Sequence, residues 1–182
     1  MSRKFAGTIL VAATTFLVAI GMAMPTATAA SQVVAGDQQP VAMTRAEARE
    51  AYRAALCPTD VAIDAAVAAE ARADVTWTDL QPLVLAMGAS QIRAGHELLT
   101  TELPWPADVV ALIPVYSELL QVSGGSNIVL AEAASLEEYR SLLTSLQNPL
   151  PTAIERLLTR TMKAKKQIKH LLGITRSANC AG

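Results

Sequence analysis

Histidine, cysteine and aromatic residues are scarce in this chain of 182 residues, and each scarcity removes a class of function. Its two histidines are His96 and His170, and neither belongs to a His-Glu-x-x-His helix. A catalytic zinc usually takes three protein ligands, which two remote histidines and scattered carboxylates do not supply, so no metal site is expected. Aromatic residues are 4% of the chain and none interleaves with the basic residues of the last helix, so the stacking platform of a nucleic-acid binder is missing and no nucleic-acid partner is expected. A Gly-x-Ser-x-Gly elbow, a Walker loop and a dinucleotide fingerprint are also missing, which leaves no catalytic residue to name and no cofactor to expect. Adjacent acids such as Glu137 and Glu138 fall on a helix surface, where solvation explains them better than the facing geometry of glycoside hydrolysis.

The first feature present is a leader. Arg3 and Lys4 form a short basic start, Phe5 to Met24 an apolar run, and Ala27, Thr28 and Ala29 an A-x-A cleavage signal, the order of a secretory signal peptide over residues 1–30. A run of roughly twenty apolar residues could also span a bilayer as an uncleaved anchor. Gly7, Thr8, Thr14, Thr15 and Gly21 weaken that span, and the cleavage signal favours removal after Ala29 or Ala30. The next cysteine is Cys57, so no thiol stands where a bacterial lipoprotein is acylated. The expected location is secreted, or in the extracytoplasmic cell envelope.

About 150 residues remain after the leader, the usual size of one domain. Residues 31–43 are polar and irregular and read as a flexible lead-in; residues 44–182 read as the domain. Both cysteines, Cys57 and Cys180, lie in the exported part, and an even pair in an oxidising compartment favours a disulfide. Closing so long a loop is worth roughly 4–5 kcal/mol on the chain-entropy model.

Helical periodicity and helix signals run through the domain, and no segment reads as a strand. Thr44 and Glu47 form a capping box for a helix to about Leu56, stopped by Cys57 and Pro58; a second, alanine-rich helix runs from Thr59 or Asp60 to Ala73. A third, about Asp79 to Thr101, carries two apolar stripes, one through Leu80, Leu83, Val84, Met87, Ala94 and Leu98 and one through Leu85, Gly88, Ile92, Gly95 and Leu99. Gly88 and Gly95 point to close approach of a neighbouring backbone, with room for an apolar ligand as the functional alternative. Leu103-Pro104-Trp105-Pro106 breaks the chain before a fourth helix, Ala107 to Val122, that Pro114 should kink and Ser123-Gly124-Gly125-Ser126 should end. A short helical piece, Asn127 to Ala134, precedes a capping box at Ser135 and Glu138 and a helix from Leu136 to Gln147. After a turn at Asn148 to Pro151, the last helix runs from Thr152 to Leu172 with Gly173 as its stop. The fold class that follows is all-α, a single antiparallel bundle of about five or six helices.

Charge is unevenly distributed. Residues 31–150 hold six basic and fifteen acidic side chains, whereas residues 151–182 hold seven basic ones and the single acid Glu155. On the last helix Ile154, Leu157, Leu158, Ile168, Leu171 and Leu172 line one side, while Arg156, Arg160, Lys163, Lys166 and His170 gather on the other. Those five residues are the candidate site for an anionic partner, either lipid headgroups or an acidic envelope polymer; the plainer reading is a solvated face that complements the acidic remainder.

Cys57-Pro58 between the opening helices, Trp105-Pro106 before an apolar helix, and Ala133-Ala134-Ser135-Leu136 before the penultimate one resemble a group of small exported helical proteins from actinobacteria. The resemblance extends over the whole mature domain and implies an exported helical fold, without an activity to carry over. Many members have a lipoprotein cysteine at the cleavage site and this chain departs from them there. The expected function is a non-enzymatic envelope or extracellular binding protein; the alternatives are a small hydrolase with an unrecognised site and a carrier of an apolar ligand beside Gly88, Gly95 and Pro114.

Overall fold

A computed structural model describes residues 41–147 and 152–174 together with Cys180. The leader, residues 31–40 of the lead-in and the Asn148–Pro151 turn lie outside them. Five helices and the segments joining them account for the described residues, which include no strand.

The first helix, α1 (Arg45–Glu70), starts at the Thr44 capping box: the Thr44 amide donates to the Glu47 carboxylate at 2.8 Å and the Glu47 amide to the Thr44 hydroxyl at 3.3 Å. It does not stop at Cys57 and Pro58 as the sequence predicts but runs through them as one helix. Proline at position 58 removes one amide donor, so the carbonyl of Ala54 loses its helical bond. Ala54 is exposed, which leaves that carbonyl to water, and the alanines on both sides favour continuation.

Helix α2 (Trp77–Leu99) opens on a second box, Thr76 with Asp79, two residues before its predicted start. Helix α3 (Ile113–Leu130) departs most from expectation. Its start at Ile113 puts Pro114 in the first turn, where a missing amide costs nothing, so Pro114 does not kink it. The helix then continues through Ser123-Gly124-Gly125-Ser126, and the separate helical piece predicted over Asn127 to Ala134 is its last turns.

The reason is tertiary. A Cβ at Gly124 would lie 2.6 Å from the Gly88 carbonyl oxygen, and one at Gly88 would lie 2.7 Å from the Gly124 carbonyl oxygen. One heptad along, the Ser117 hydroxyl donates to the Gly95 carbonyl at 2.6 Å. Glycine and serine thus let two antiparallel backbones touch, and α2 and α3 form the most extensive helix pair of the fold. Contact along that face outweighs the roughly 1 kcal/mol that each helical glycine costs relative to alanine.

Helix α4 (Leu136–Gln147) starts after Ser135 as predicted, with the Glu138 amide donating to the Ser135 hydroxyl at 3.1 Å, while the Glu138 carboxylate accepts from the Ala134 amide at 2.7 Å. Helix α5 (Thr152–Leu171) ends in a Schellman turn: Gly173 has φ +66°, its amide donates to the His170 carbonyl at 3.0 Å, and the Ile174 amide to that of Lys169 at 2.8 Å.

Two apolar clusters make the core. One joins α1, α2, α3 and α5 through Tyr52, Leu56, Leu98, Val109, Ile113, Tyr116, Ile168 and Leu172. The other joins α1, α2, α3 and α4 through Ala66, Leu80, Val84, Leu130 and Tyr139. Polar bonds cross between helices as well: Asn127 donates to Gln91 at 2.8 Å and Thr59 to the Ser90 carbonyl at 3.1 Å. Both tryptophans fasten connections, Trp105 donating to the Leu98 carbonyl at 2.9 Å and Trp77 to that of Ala133 at 2.7 Å. At the end of the lead-in Met43 is buried, and its amide donates to the Pro104 carbonyl at 2.9 Å.

Candidate functional site

Helix α5 presents the candidate face because its two sides have opposite composition. Thr161, Ala164, Ile168 and Leu172 are buried at about 3% exposure or less, so the inner side is committed to the core. Arg156, Arg160, Lys163, Lys166 and His170 are all exposed. At 100° per residue they occupy an arc of about 120°, so the structure brings together all five residues named from sequence. The Arg160 guanidinium pairs with Glu118 of α3 at 2.7 Å, an exposed bond that fixes one cation of the row.

The other two lysines of α5 face inward. Lys165 lies 5.7 Å from the centroid of the Tyr116 ring, a cation–π contact, and Tyr116 stacks on Tyr52 at 6.2 Å between ring centroids. Burial raises both phenols above the ordinary tyrosine range, so they stay protonated at neutral pH. Lys169 is held below the usual lysine range, chiefly by burial and then by the charge of Lys165, with Asp60 acting in the opposite direction. The sequence reading leaves these two lysines out of the outer five, and their positions on the helical wheel, beside Thr161, Ile168 and Leu172, account for that.

The C-terminal end of α5 is clamped to α1. Arg45 donates to the Leu171 carbonyl and also pairs with Asp108 at 2.6 Å, while Arg49 donates to the Leu172 carbonyl at 2.7 Å. These donors satisfy carbonyls that a helix end leaves free, and their positive charge complements the helix dipole. Cys57 and Cys180 lie at disulfide distance, with 4.8 Å between their Cα atoms. Tail and first helix are thus joined across a separation of 123 residues.

Other candidate chemistry stays dispersed. His96 and His170 are exposed on different helices, and no group of three His, Cys, Asp or Glu side chains able to hold a metal occurs among the described residues. The space beside Gly88 and Gly95 is filled by the backbone and side chains of α3. Of the second apolar stripe on α2, the two glycines are buried, whereas Leu85, Ile92 and Leu99 are exposed at 47%, 37% and 49%. That stripe therefore does not bury α2 on two full sides. Among the described residues no helix is long and apolar enough to cross a membrane.

Comparison with known protein families, curated proteins and solved structures gives no match.

Proposed function

We propose that the chain is an exported, non-enzymatic binding protein of the cell envelope or extracellular space, and that the outer face of α5 takes an anionic partner. The observation that carries this reading is the row of four exposed cationic side chains, Arg156, Arg160, Lys163 and Lys166, continued by the exposed His170, on a helix whose opposite side is locked into the core. The leader, the likeness to exported actinobacterial helical proteins and the paired cysteines support the location. The acidic remainder of the chain supports the confinement of an anion to this one face.

Direct binding assays test it, with vesicles of anionic against zwitterionic lipid and with soluble acidic polymers. Binding is expected to need the anionic charge and to weaken as salt rises, because exposed charges are screened over about 10 Å at 0.1 M. Charge reversal at Arg160, Lys163 and Lys166 together should abolish it. Binding unchanged by that triple reversal removes the proposal.

A further inference from the structure

Extending the reading of α5 as an anion-binding face, we infer that its partner is a linear, flexible phosphodiester polymer lying along the helix, and not a bilayer. The outer cations Arg156, Arg160, Lys163 and Lys166 fall at successive intervals of four, three and three residues, so each rises about 4.5–6 Å above the last and they span about 15 Å, with His170 one turn beyond. A narrow line of charge of this length fits a chain of anionic groups better than it fits a plane.

The second argument is what α5 lacks. A helix that binds a membrane surface buries an apolar side into the headgroup and acyl boundary. The apolar side of α5 is already occupied: Ala164, Ile168 and Leu172 are in the core, Lys165 sits over Tyr116, and Arg45 and Arg49 hold the helix end. Within the basic arc the intervening exposed residues are Thr159 and Gln167, neither apolar; Met162, the nearest exposed apolar residue, lies outside it. Attraction here is electrostatic, with nothing to insert.

Flexibility follows from the spacing and chemistry of the row. Its intervals are unequal, and Glu118 already holds Arg160, so a stiff polymer with a fixed repeat would pass out of register. A phosphodiester chain rotates about every backbone bond and keeps one charge per repeat at neutral pH. Asp60, Glu118 and Glu155 are the acids placed toward or upon α5 that it must avoid.

The test uses the full oxidised chain and calorimetric titration with poly(glycerol phosphate) oligomers of increasing length, with a polyuronate and phosphatidylglycerol vesicles as separate arms. Affinity for the phosphodiester is expected to climb with length until the oligomer covers the row, then level off. Its salt dependence should lose a slope of about one for each cation removed. Lys163→Glu with Lys166→Glu should weaken it by tenfold or more. The exchange Met162→Lys with Lys163→Met conserves net charge but moves one cation out of the arc; both positions are exposed, so the fold is retained, and a several-fold loss is expected.

Vesicle binding without polymer binding overturns the inference and leaves the anionic-face reading intact. Failure of every anionic probe removes both. Equal binding of the polyuronate, affinity that does not depend on length, or indifference to the Met162 and Lys163 exchange each overturns the linear phosphodiester assignment.

Discussion

Gly124 and Gly125 are neighbours in the middle of α3, yet substitution should move stability in opposite directions. A methyl at Gly124 meets the Gly88 carbonyl and Ile92 within 2.7 Å, whereas one at Gly125 meets nothing within 4 Å. Gly124→Ala should therefore force α2 and α3 apart and cost about 1–3 kcal/mol, the usual range for overpacking. Gly125→Ala should raise stability by about 0.5–1 kcal/mol through helix propensity and a less flexible unfolded chain. Urea titration of the two variants beside the parent measures both signs; destabilisation of equal size at the two sites would show that the crossing is not what fixes Gly124. Ser123 adds a third case: its hydroxyl is buried without a hydrogen-bond partner among the described residues. Ser123→Ala removes an unsatisfied polar group, and stability should stay level or rise by about 1 kcal/mol.

Helix boundaries were legible wherever a local signal fixed them. Thr44 with Glu47, Ser135 with Glu138, and Gly173 all terminate helices as predicted, because each satisfies free backbone groups with atoms three to five residues away. The failures have different causes. The Ser123-Gly124-Gly125-Ser126 segment reads as a break by propensity because the packing of α2 on α3 lies beyond any local window, whereas at Pro58 the alanines that carry α1 through are local and the proline outweighs them in the reading. All five members of the basic face were found because helical periodicity places them once α5 is assigned. Periodicity also turns Lys165 and Lys169 toward the core; what it cannot reach is their partners there, Tyr116 and Asp60.

The capping boxes also set an acid response for their helices. Glu47 lies below the ordinary carboxylate range chiefly through the backbone hydrogen bond with Thr44, and Asp79 chiefly through the side-chain bond with Thr76. A depressed folded value means that the unfolded state binds protons first, so the contribution is complete above the unfolded pKa of about 4 and fades as pH falls through the lower folded value. Thr44→Ala and Thr76→Ala should each cost about 1 kcal/mol at neutral pH and less in acid, where the parent caps are themselves protonated. Denaturant midpoints of parent and variants across the acid range check the convergence; parallel curves would count against it.

At the scale of the molecule, two groups of interactions hold α5 in place: its apolar inner side and the ties at its C-terminal end through Arg45, Arg49 and Cys180. Reducing the cysteine pair should lower stability by up to about 4–5 kcal/mol, the chain-entropy value for so long a loop. Thermal unfolding with and without reductant measures it, and an unchanged midpoint would mean that the tail adds nothing to the bundle. The loss should be non-additive with Arg49→Ala, since both changes loosen the same helix end.

The position of that cysteine pair has a consequence for synthesis. Cys57 belongs to the first helix and its partner lies 123 residues further along, so the covalent loop can close only after Cys180 has been made. A product that stalls or is clipped anywhere before Cys180 retains Cys57 as a reactive thiol. Thiols titrated in a freshly made preparation therefore report molecules whose loop has not closed, whether clipped before Cys180 or still reduced, and the oxidised state certifies that Cys57 and Cys180 have met.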